Sequence, residues 1–249
     1  MNGLSQNKAK QIRALQQKKF REESGLFLVE GAKAIIETLA TSWPCETLVC
    51  TDRFINSNET IIHNSNSELF VCSEEQLSQL GNFRNNNAAL LVARQKKTLV
   101  KPEPLQKLWL VLEDISDPGN LGTIIRLADW FGLKEVICLG DGVEWYNPKV
   151  ISGTMGSFLR IARVEMNADE LLNSGRPIFA ADMNGQNLYE FRFPDSSIIL
   201  IGNEARGLQP RWLQNPSSVL SIPSFGKAES LNAAMATGIF LNHWRLFGG

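Results

Sequence analysis

Leu108-Trp109-Leu110-Val111-Leu112-Glu113-Asp114-Ile115-Ser116-Asp117-Pro118-Gly119-Asn120-Leu121-Gly122-Thr123-Ile124-Ile125-Arg126 is the stretch from which the fold follows. Residues 108–112 form a continuous apolar run of strand length, closed by the acids Glu113 and Asp114. The polar turn over residues 116–120 then opens a helix, with Asn120 expected as its N-cap. Leu121, Ile124, Ile125 and Ala128 fall on one helical face, and Gly132 marks the end of the helix. Strands alternating with helices in this way build an α/β layer fold.

The same alternation extends in both directions. Downstream, strands are expected at residues 135–139, 160–164, 178–181, 198–201 and 219–222. Ser230 is expected to cap a last helix that carries Leu231, Met235 and Ile239 on one face. Upstream, residues 8–20 read as one short basic helix with Ile12, Leu15 and Phe20 as its apolar positions. Apolar runs at 26–29, 47–50, 69–72 and 88–93 then alternate with helical patterns at 32–40 and 74–80, and the Asn- and Gly-rich residues 81–87 suit a turn. Residues 95–106, with three lysines, Pro102 and Pro104, form the best linker, which divides the chain into domains 1–95 and 107–249.

Composition narrows the class. The 249 residues are 43% hydrophobic and 20% charged, which suits a globular protein with an ample core. No apolar run approaches the roughly 20 residues that cross a bilayer, and residues 1–21 lack the apolar core of a secretion signal. Cys45, Cys50, Cys72 and Cys138 show no metal-ligand spacing, so they read as small buried hydrophobes in a reducing compartment, with no metal and a cytoplasmic location expected. The net charge of −1 hides an uneven distribution: Lys8, Lys10, Arg13, Lys18, Lys19 and Arg21 lie together without an acid among residues 1–21. That run is either a solvated helix face or a nucleic-acid contact.

Three segments lie just past expected strands, where α/β folds keep their sites. In the first, Asn120-Leu121-Gly122-Thr123-Ile124-Ile125-Arg126, the arginine stands off the apolar stripe and either faces solvent or serves a site. The second is Gly202-Asn203-Glu204-Ala205-Arg206-Gly207-Leu208, and the third is Ile222-Pro223-Ser224-Phe225-Gly226 followed by Ser230-Leu231-Asn232. Taken singly, each is also ordinary turn or cap chemistry. Neither a G-x-G-x-x-G fingerprint nor a phosphate-cradling G-x-x-x-x-G-K-[ST] loop occurs, which disfavours nicotinamide enzymes, nucleotide enzymes and Rossmann-type methyltransferases.

In this order and spacing, Asn-x-Gly-x-x-x-Arg, Gly-Asn-Glu-x-x-Gly-Leu and Ile-Pro…Ser-Leu-Asn resemble the three signature motifs of the SpoU/TrmH ribose methyltransferases of the SPOUT superfamily. The resemblance is close over residues 108–247. Phe27-Leu28-Val29-Glu30-Gly31 and the basic start resemble, more loosely, the family's ribosomal-protein-like α/β substrate-binding domain. Ser224 stands where a methionine is usual and Ala233 where a valine is usual, next to motif positions rather than at them.

The resemblance implies a catalytic domain whose carboxyl-terminal part is threaded into a trefoil knot, a rarity among folds. It implies S-adenosyl-L-methionine as cofactor, held largely by backbone groups at Ala181 (before residues 182–185), Gly202, Ile222 and Leu231. It also implies a homodimer and an RNA substrate, with ribosomal RNA ahead of transfer RNA because the chain has a full amino-terminal module and no carboxyl-terminal extension. The catalytic set carried over is Arg126, Asn120, Glu204, Ser230 and Asn232, and the basic run Lys8, Lys10, Arg13, Lys18, Lys19 and Arg21 is the expected RNA contact. Arg126 is implied as general base, yet a guanidinium has a pKa above about 12 and keeps its proton. A bidentate clamp on the RNA phosphate beside the ribose is the other role, with phosphate or water taking the proton. Asn120 and Asn232 are expected to fix Arg126 and the substrate, Glu204 to orient the site and hold a cation, and Ser230 to bond within the third loop. The reading from another class is a non-catalytic RNA-binding module that keeps the fold, which would not require Arg126, Glu204, Ser230 and Asn232 together.

Overall fold

The computed structural model describes residues 2–83, 86–99, 101–214 and 218–248. The chain forms two compact units: one of residues 1–97 with 144–156, the other of residues 98–143 with 157–249. This division departs from the linear one at 1–95 and 107–249 in assigning residues 144–156 to the first unit.

The first unit runs β1 (Asn2–Gly3), α1 (Gln6–Ala14), α2 (Lys18–Ser24), β2 (Leu26–Glu30), α3 (Ala32–Leu39), β3 (Cys45–Cys50), α4 (Asp52–Ser57), α5 (Glu59–His63), β4 (Glu68–Val71), α6 (Glu74–Ser78) and β5 (Ala89–Arg94). Its mixed sheet has the order β1-β4-β3-β5-β2, with β5 antiparallel to both neighbours. Ile12 and Leu15 from α1 and its end, and Leu77 and Leu80 from α6 and its end, pack with Leu28, Val49 and Leu90 of the sheet.

The expected single basic helix is two helices, because the chain turns extended at Gln17, φ −98° and ψ 135°. The break frees the Leu15 carbonyl, and Arg21 fills the vacancy by donating Nη1 to it at 2.7 Å. The Arg21 side chain is buried, and its fork also grips the Glu144 carboxylate, with Nε to Oε1 at 2.8 Å. Beyond Glu144, the Tyr146 ring packs against Phe27 with centroids 4.6 Å apart and planes tilted by 44°, and its hydroxyl accepts from the Lys96 amide at 2.9 Å. These contacts hold residues 144–156 to the first unit. Arg84 and Asn85 of the expected turn lie outside the described residues; before them, the Glu30 carboxylate accepts from the amides of Asn82 and Phe83.

The second unit continues with β6 (Leu108–Glu113), α7 (Pro118–Trp130) and β7 (Glu135–Leu139). After α8 (Pro148–Gly153), which lies in the first unit, come β8 (Ala162–Glu165), α9 (Ala168–Leu172), β9 (Ile178–Asn187), β10 (Ser197–Ile201), β11 (Val219–Ser221) and α10 (Ala233–Phe247). Its six strands are all parallel, in the order β11-β9-β10-β6-β7-β8. Every residue of β6 and β10 is buried, as expected where helices cover both faces of a parallel sheet. The linker is shorter than expected: Leu99 already pairs with Val164, and the Glu103 amide donates to Glu135 at 2.7 Å. Val100 lies outside the described residues.

Three local expectations are corrected. Asp117, not Asn120, caps α7: its Oδ1 accepts from the Asn120 amide at 2.8 Å, with Pro118 in the first turn. Asn232, not Ser230, caps α10. The strand expected at residues 178–181 runs on to Asn187 through a bulge, because β11 pairs Val219 with Ala180 and then Leu220 with Gln186. Gly185 lies in that bulge, where a Cβ would stand 2.5 Å from the Val219 carbonyl carbon. The four cysteines are free thiols, and burial pushes Cys45 and Cys138 up to about 11 and Cys50 up to about 12. Such thiols are inert at neutral pH, but only Cys50 is fully buried as expected, Cys45, Cys72 and Cys138 being half-buried.

Candidate active site

Parallel strands end on the same edge of their sheet, so the segments after β11, β9, β10 and β6, four consecutive strands, come together. The register of β10 on β6 aligns Ile201 with Leu112, and the turns that follow both strands therefore meet. Glu204, three residues past β10, turns its carboxylate onto the start of α7. Oε2 accepts from the Ser116 amide at 3.2 Å and the Ser116 hydroxyl at 3.0 Å. Oε1 accepts from the Asp117 amide at 3.3 Å and from Asn120 Nδ2 at 2.8 Å.

The network continues in one direction. A carboxylate only accepts, so Asn120 shows it the amide NH2 and leaves its Oδ1 for Asn232 Nδ2, 2.7 Å away. Asn232 then spends its own Oδ1 on the amides of Ala234 and Met235, the first turn of α10. One residue from each of the three motifs is thus tied into a single chain, Glu204–Asn120–Asn232. Burial alone would push the Glu204 carboxyl up, but hydrogen bonds from Asn120 and Ser116 outweigh it and hold the group below the ordinary carboxylate range.

The second-motif loop is braced from within. Asn203 donates Nδ2 to the Asp114 carbonyl at 2.8 Å and accepts from the amides of Ala205 and Arg206. Asn203 and Gly207 exchange backbone hydrogen bonds. A Cβ at Gly202 would stand 2.6 Å from the Gly207 carbonyl carbon, so the loop itself demands glycine there. Beneath it, the buried Glu113 carboxylate accepts from the Gln209 amide at 2.9 Å and Trp212 Nε1 at 2.7 Å. Asp114, at the end of β6, has φ 54°, an uncommon conformation for a residue other than glycine and one that recurs at functional sites.

Asn120, Asn232 and Glu204 are therefore together, but they hold one another rather than Arg126. Arg126 is exposed on α7 and has no hydrogen-bond or ion-pair partner among the described residues. Ser230 is exposed and likewise makes no hydrogen bond among the described residues. Ala181 enters the β9 bulge, Gly202 follows β10, and Ile222 and Leu231 flank the loop after β11. Ser116, Asp117 and Asn203 were missed as site residues. The Asp-Pro pair is the signal for Asp117, since aspartate before a first-turn proline is a standard helix start; Ser116 carries no such mark.

The loop of residues 223–231 makes no backbone–backbone hydrogen bond among the described residues. Phe225 is 96% exposed and Leu231 50% exposed. Amides and carbonyls that no other backbone group among the described residues engages, beside uncovered apolar side chains, suit a ligand with a polar heterocycle and an apolar face.

A profile of the SpoU rRNA Methylase family matches residues 107–242, more than half of the chain. The chain belongs to the SpoU rRNA methylase family. Residues 6–90, within the first unit, match an MRM3-like substrate binding domain. A 23S rRNA (guanosine(2553)-2'-O)-methyltransferase of Bacillus subtilis is 30% identical, over 96% of this chain and 96% of its own. An AdoMet-bound rRNA methyltransferase of Sinorhizobium meliloti superposes with a TM-score of 0.86 at 27% identity, covering 99% of this chain and 97% of its own. The SpoU methyltransferase AviRb of Streptomyces viridochromogenes, in complex with AdoMet, gives 0.83 at 26% identity, covering 97% and 98%. The SpoU motifs are the segments that the Glu204–Asn120–Asn232 chain joins.

Proposed function

We propose that the chain transfers the methyl group of S-adenosyl-L-methionine to a ribose 2′-hydroxyl of ribosomal RNA. The observation that carries this reading is the Glu204–Asn120–Asn232 chain at the shared edge of β6 and β10, beside a loop with unengaged backbone groups. A module that only binds RNA has no need of this arrangement. The names of the relatives favour ribosomal over transfer RNA.

The cofactor supplies an electrophilic methyl carbon on sulfonium. Backbone groups near Ala181, Gly202, Ile222 and Leu231 would hold it, with the side chains of Ile222 and Leu231 as apolar contacts. Arg126, without a partner among the described residues, clamps the RNA phosphate beside the target ribose and aligns the hydroxyl. The proton leaves to that phosphate or to water. Asn120, Asn232 and Glu204 act as positioning residues: they lock the start of α7, which carries Arg126, to the start of α10. Ser230 belongs to the cofactor loop. In calorimetry the protein should bind S-adenosylmethionine equally well with and without a chelator. Absence of binding in both conditions would sink the enzyme reading and leave the RNA-binding module. Among the described residues, no group of three His, Cys, Asp or Glu side chains is placed to hold a metal ion.

We further infer a homodimer built on α7 and α10. Thr123 and Leu127 face Met235, Gly238 and Ile239 across a mainly apolar groove of about 420 Å³, with Met235 62% exposed. Light scattering at micromolar concentration should return twice the chain mass of 27.8 kDa. A value that stays at 27.8 kDa over a wide concentration range excludes the dimer. The superfamily's trefoil threading belongs to the same reading: β11 lies beyond β9 while β10 lies inside it, so the chain passes back across β9 after β10. A cytoplasmic location fits as well, and no helix among the described residues is long and apolar enough to cross a membrane.

A further inference from the structure

The basic run of the first unit sorts itself by partner. Lys8 pairs with Glu68 at 2.8 Å, Lys18 with Glu22 at 3.5 Å and Lys19 with Glu23 at 3.9 Å. Arg21 is buried on Glu144. Lys10 and Arg13 remain, and among the described residues neither has an acidic partner; Arg13 donates only to the Ala9 carbonyl, one turn back. These two cations line a groove of about 800 Å³ between α1 and α6.

The lining of this groove has a particular chemistry. Leu4, half-buried, lines it with apolar surface, together with the edges of Ala9 and Leu80 from the core of the unit. Asn7, Gln76 and Gln79 line it with primary amides, and among the described residues no carboxylate lines it. Gln76 uses its Oε1 to accept from the Ser73 amide, which sets its orientation, and its NH2 has no partner among the described residues. Gln16 braces one end by donating Nε2 to the carbonyls of Leu80 and Gly81 at 2.9 and 3.2 Å.

The apolar surface takes the flat face of a base, amides read its edge, and two unneutralised cations take the flanking phosphates. In an RNA duplex each base face is covered by its stacked neighbours and only edges in the shallow minor groove are open, so apolar surface beside edge-reading amides fits a base splayed out of the helix. The geometry points to the α1–α6 groove as a binding subsite for an unpaired nucleotide segment of the RNA substrate. This assignment rests on the methyltransferase reading for its substrate class, and it places the RNA contact on Lys10 and Arg13 rather than on all six basic residues.

The test uses the full-length protein and two synthetic RNAs of equal length, a hairpin with an unpaired loop and a blunt duplex. Fluorescence anisotropy is measured across a salt series. Each single-strand phosphate contact contributes about −0.7 to the slope of log K against log salt, so K10Q/R13Q should flatten the hairpin slope by about 1.4. Gln79→Ala should weaken hairpin binding several-fold with the slope unchanged, because it removes an edge contact and no charge. Neither change should matter for the duplex, and K18Q/K19Q should leave the hairpin slope as it is. With ribosomal RNA as substrate, K10Q/R13Q should raise KM and preserve kcat. The assignment is overturned if K10Q/R13Q leaves the slope intact, or if hairpin and duplex lose affinity alike. Cofactor calorimetry on the same proteins separates the two failures. Cofactor binding with unaltered RNA affinity in K10Q/R13Q refutes the groove alone, whereas a wild-type protein that binds RNA but no cofactor refutes the methyltransferase reading.

Discussion

Arg126→Ala is expected to lower kcat by roughly 10²–10³-fold, the range seen when one fixed charge-stabilising or positioning group is removed from an active site. Cofactor affinity should stay within a few-fold, because the segments assigned to the cofactor lie in the bulge of β9 and after β10 and β11, while Arg126 lies on α7. Folding should also be intact, since the side chain is exposed and holds no partner among the described residues. Arg126→Lys is the sharper probe. An ammonium keeps the charge but loses the planar fork, so a bidentate clamp predicts a loss almost as large as that of alanine. Single-turnover methylation with labelled cofactor, combined with calorimetry, gives both numbers. Near-full activity of the lysine variant across neutral pH would exclude the clamp and the general base together.

The second large effect is on stability and lies in the first unit. Arg21→Ala should destabilise that unit by about 3–5 kcal/mol, the usual consequence of removing one partner of a buried ion pair. The arginine side chain is 2% exposed and that of Glu144 13%, so the stranded carboxylate has little water to turn to. The Leu15 carbonyl loses its donor as well. Urea denaturation followed by far-ultraviolet circular dichroism would measure the loss. The double replacement Arg21→Met with Glu144→Leu should recover most of it, because an apolar pair of similar volume leaves no buried charge. A loss under about 1 kcal/mol for Arg21→Ala would mean that the pair is not closed in solution.

These two arginines show why parts of the chain were legible and others were not. Arg126 stands off an apolar stripe whose period can be counted, so its exposure follows from local pattern. Arg21 ends a run of cations and looks equally exposed, yet its partner is 123 residues away and nothing in the run announces it. The same contrast separates the two caps. Asp117 was within reach, since it precedes a proline at a helix start, whereas Ser230 and Asn232 are both good capping residues, and the choice fell to the one held by Asn120. Beyond Ala181, β9 is polar, with Asp182, Asn184, Gln186 and Asn187, and only pairing with β11 extends the strand there. The short α8 and α9, of six and five residues, offer too few turns for a countable period.

The sequence by itself determined the α/β alternation, most of the strands, the three motifs and the family they belong to, because these are written in short-range periodicity and spacing. Tertiary structure alone decided that Glu204, Asn120 and Asn232 hold one another, that Arg21 turns inward, that residues 144–156 complete the first unit, and that Lys10 and Arg13 line one groove with the amides of α6 and its end. Each of these brings together groups some 60 residues or more apart in the chain. Such pairings are set by the order of strands in a sheet and the packing of helices on it, and local pattern carries no record of them.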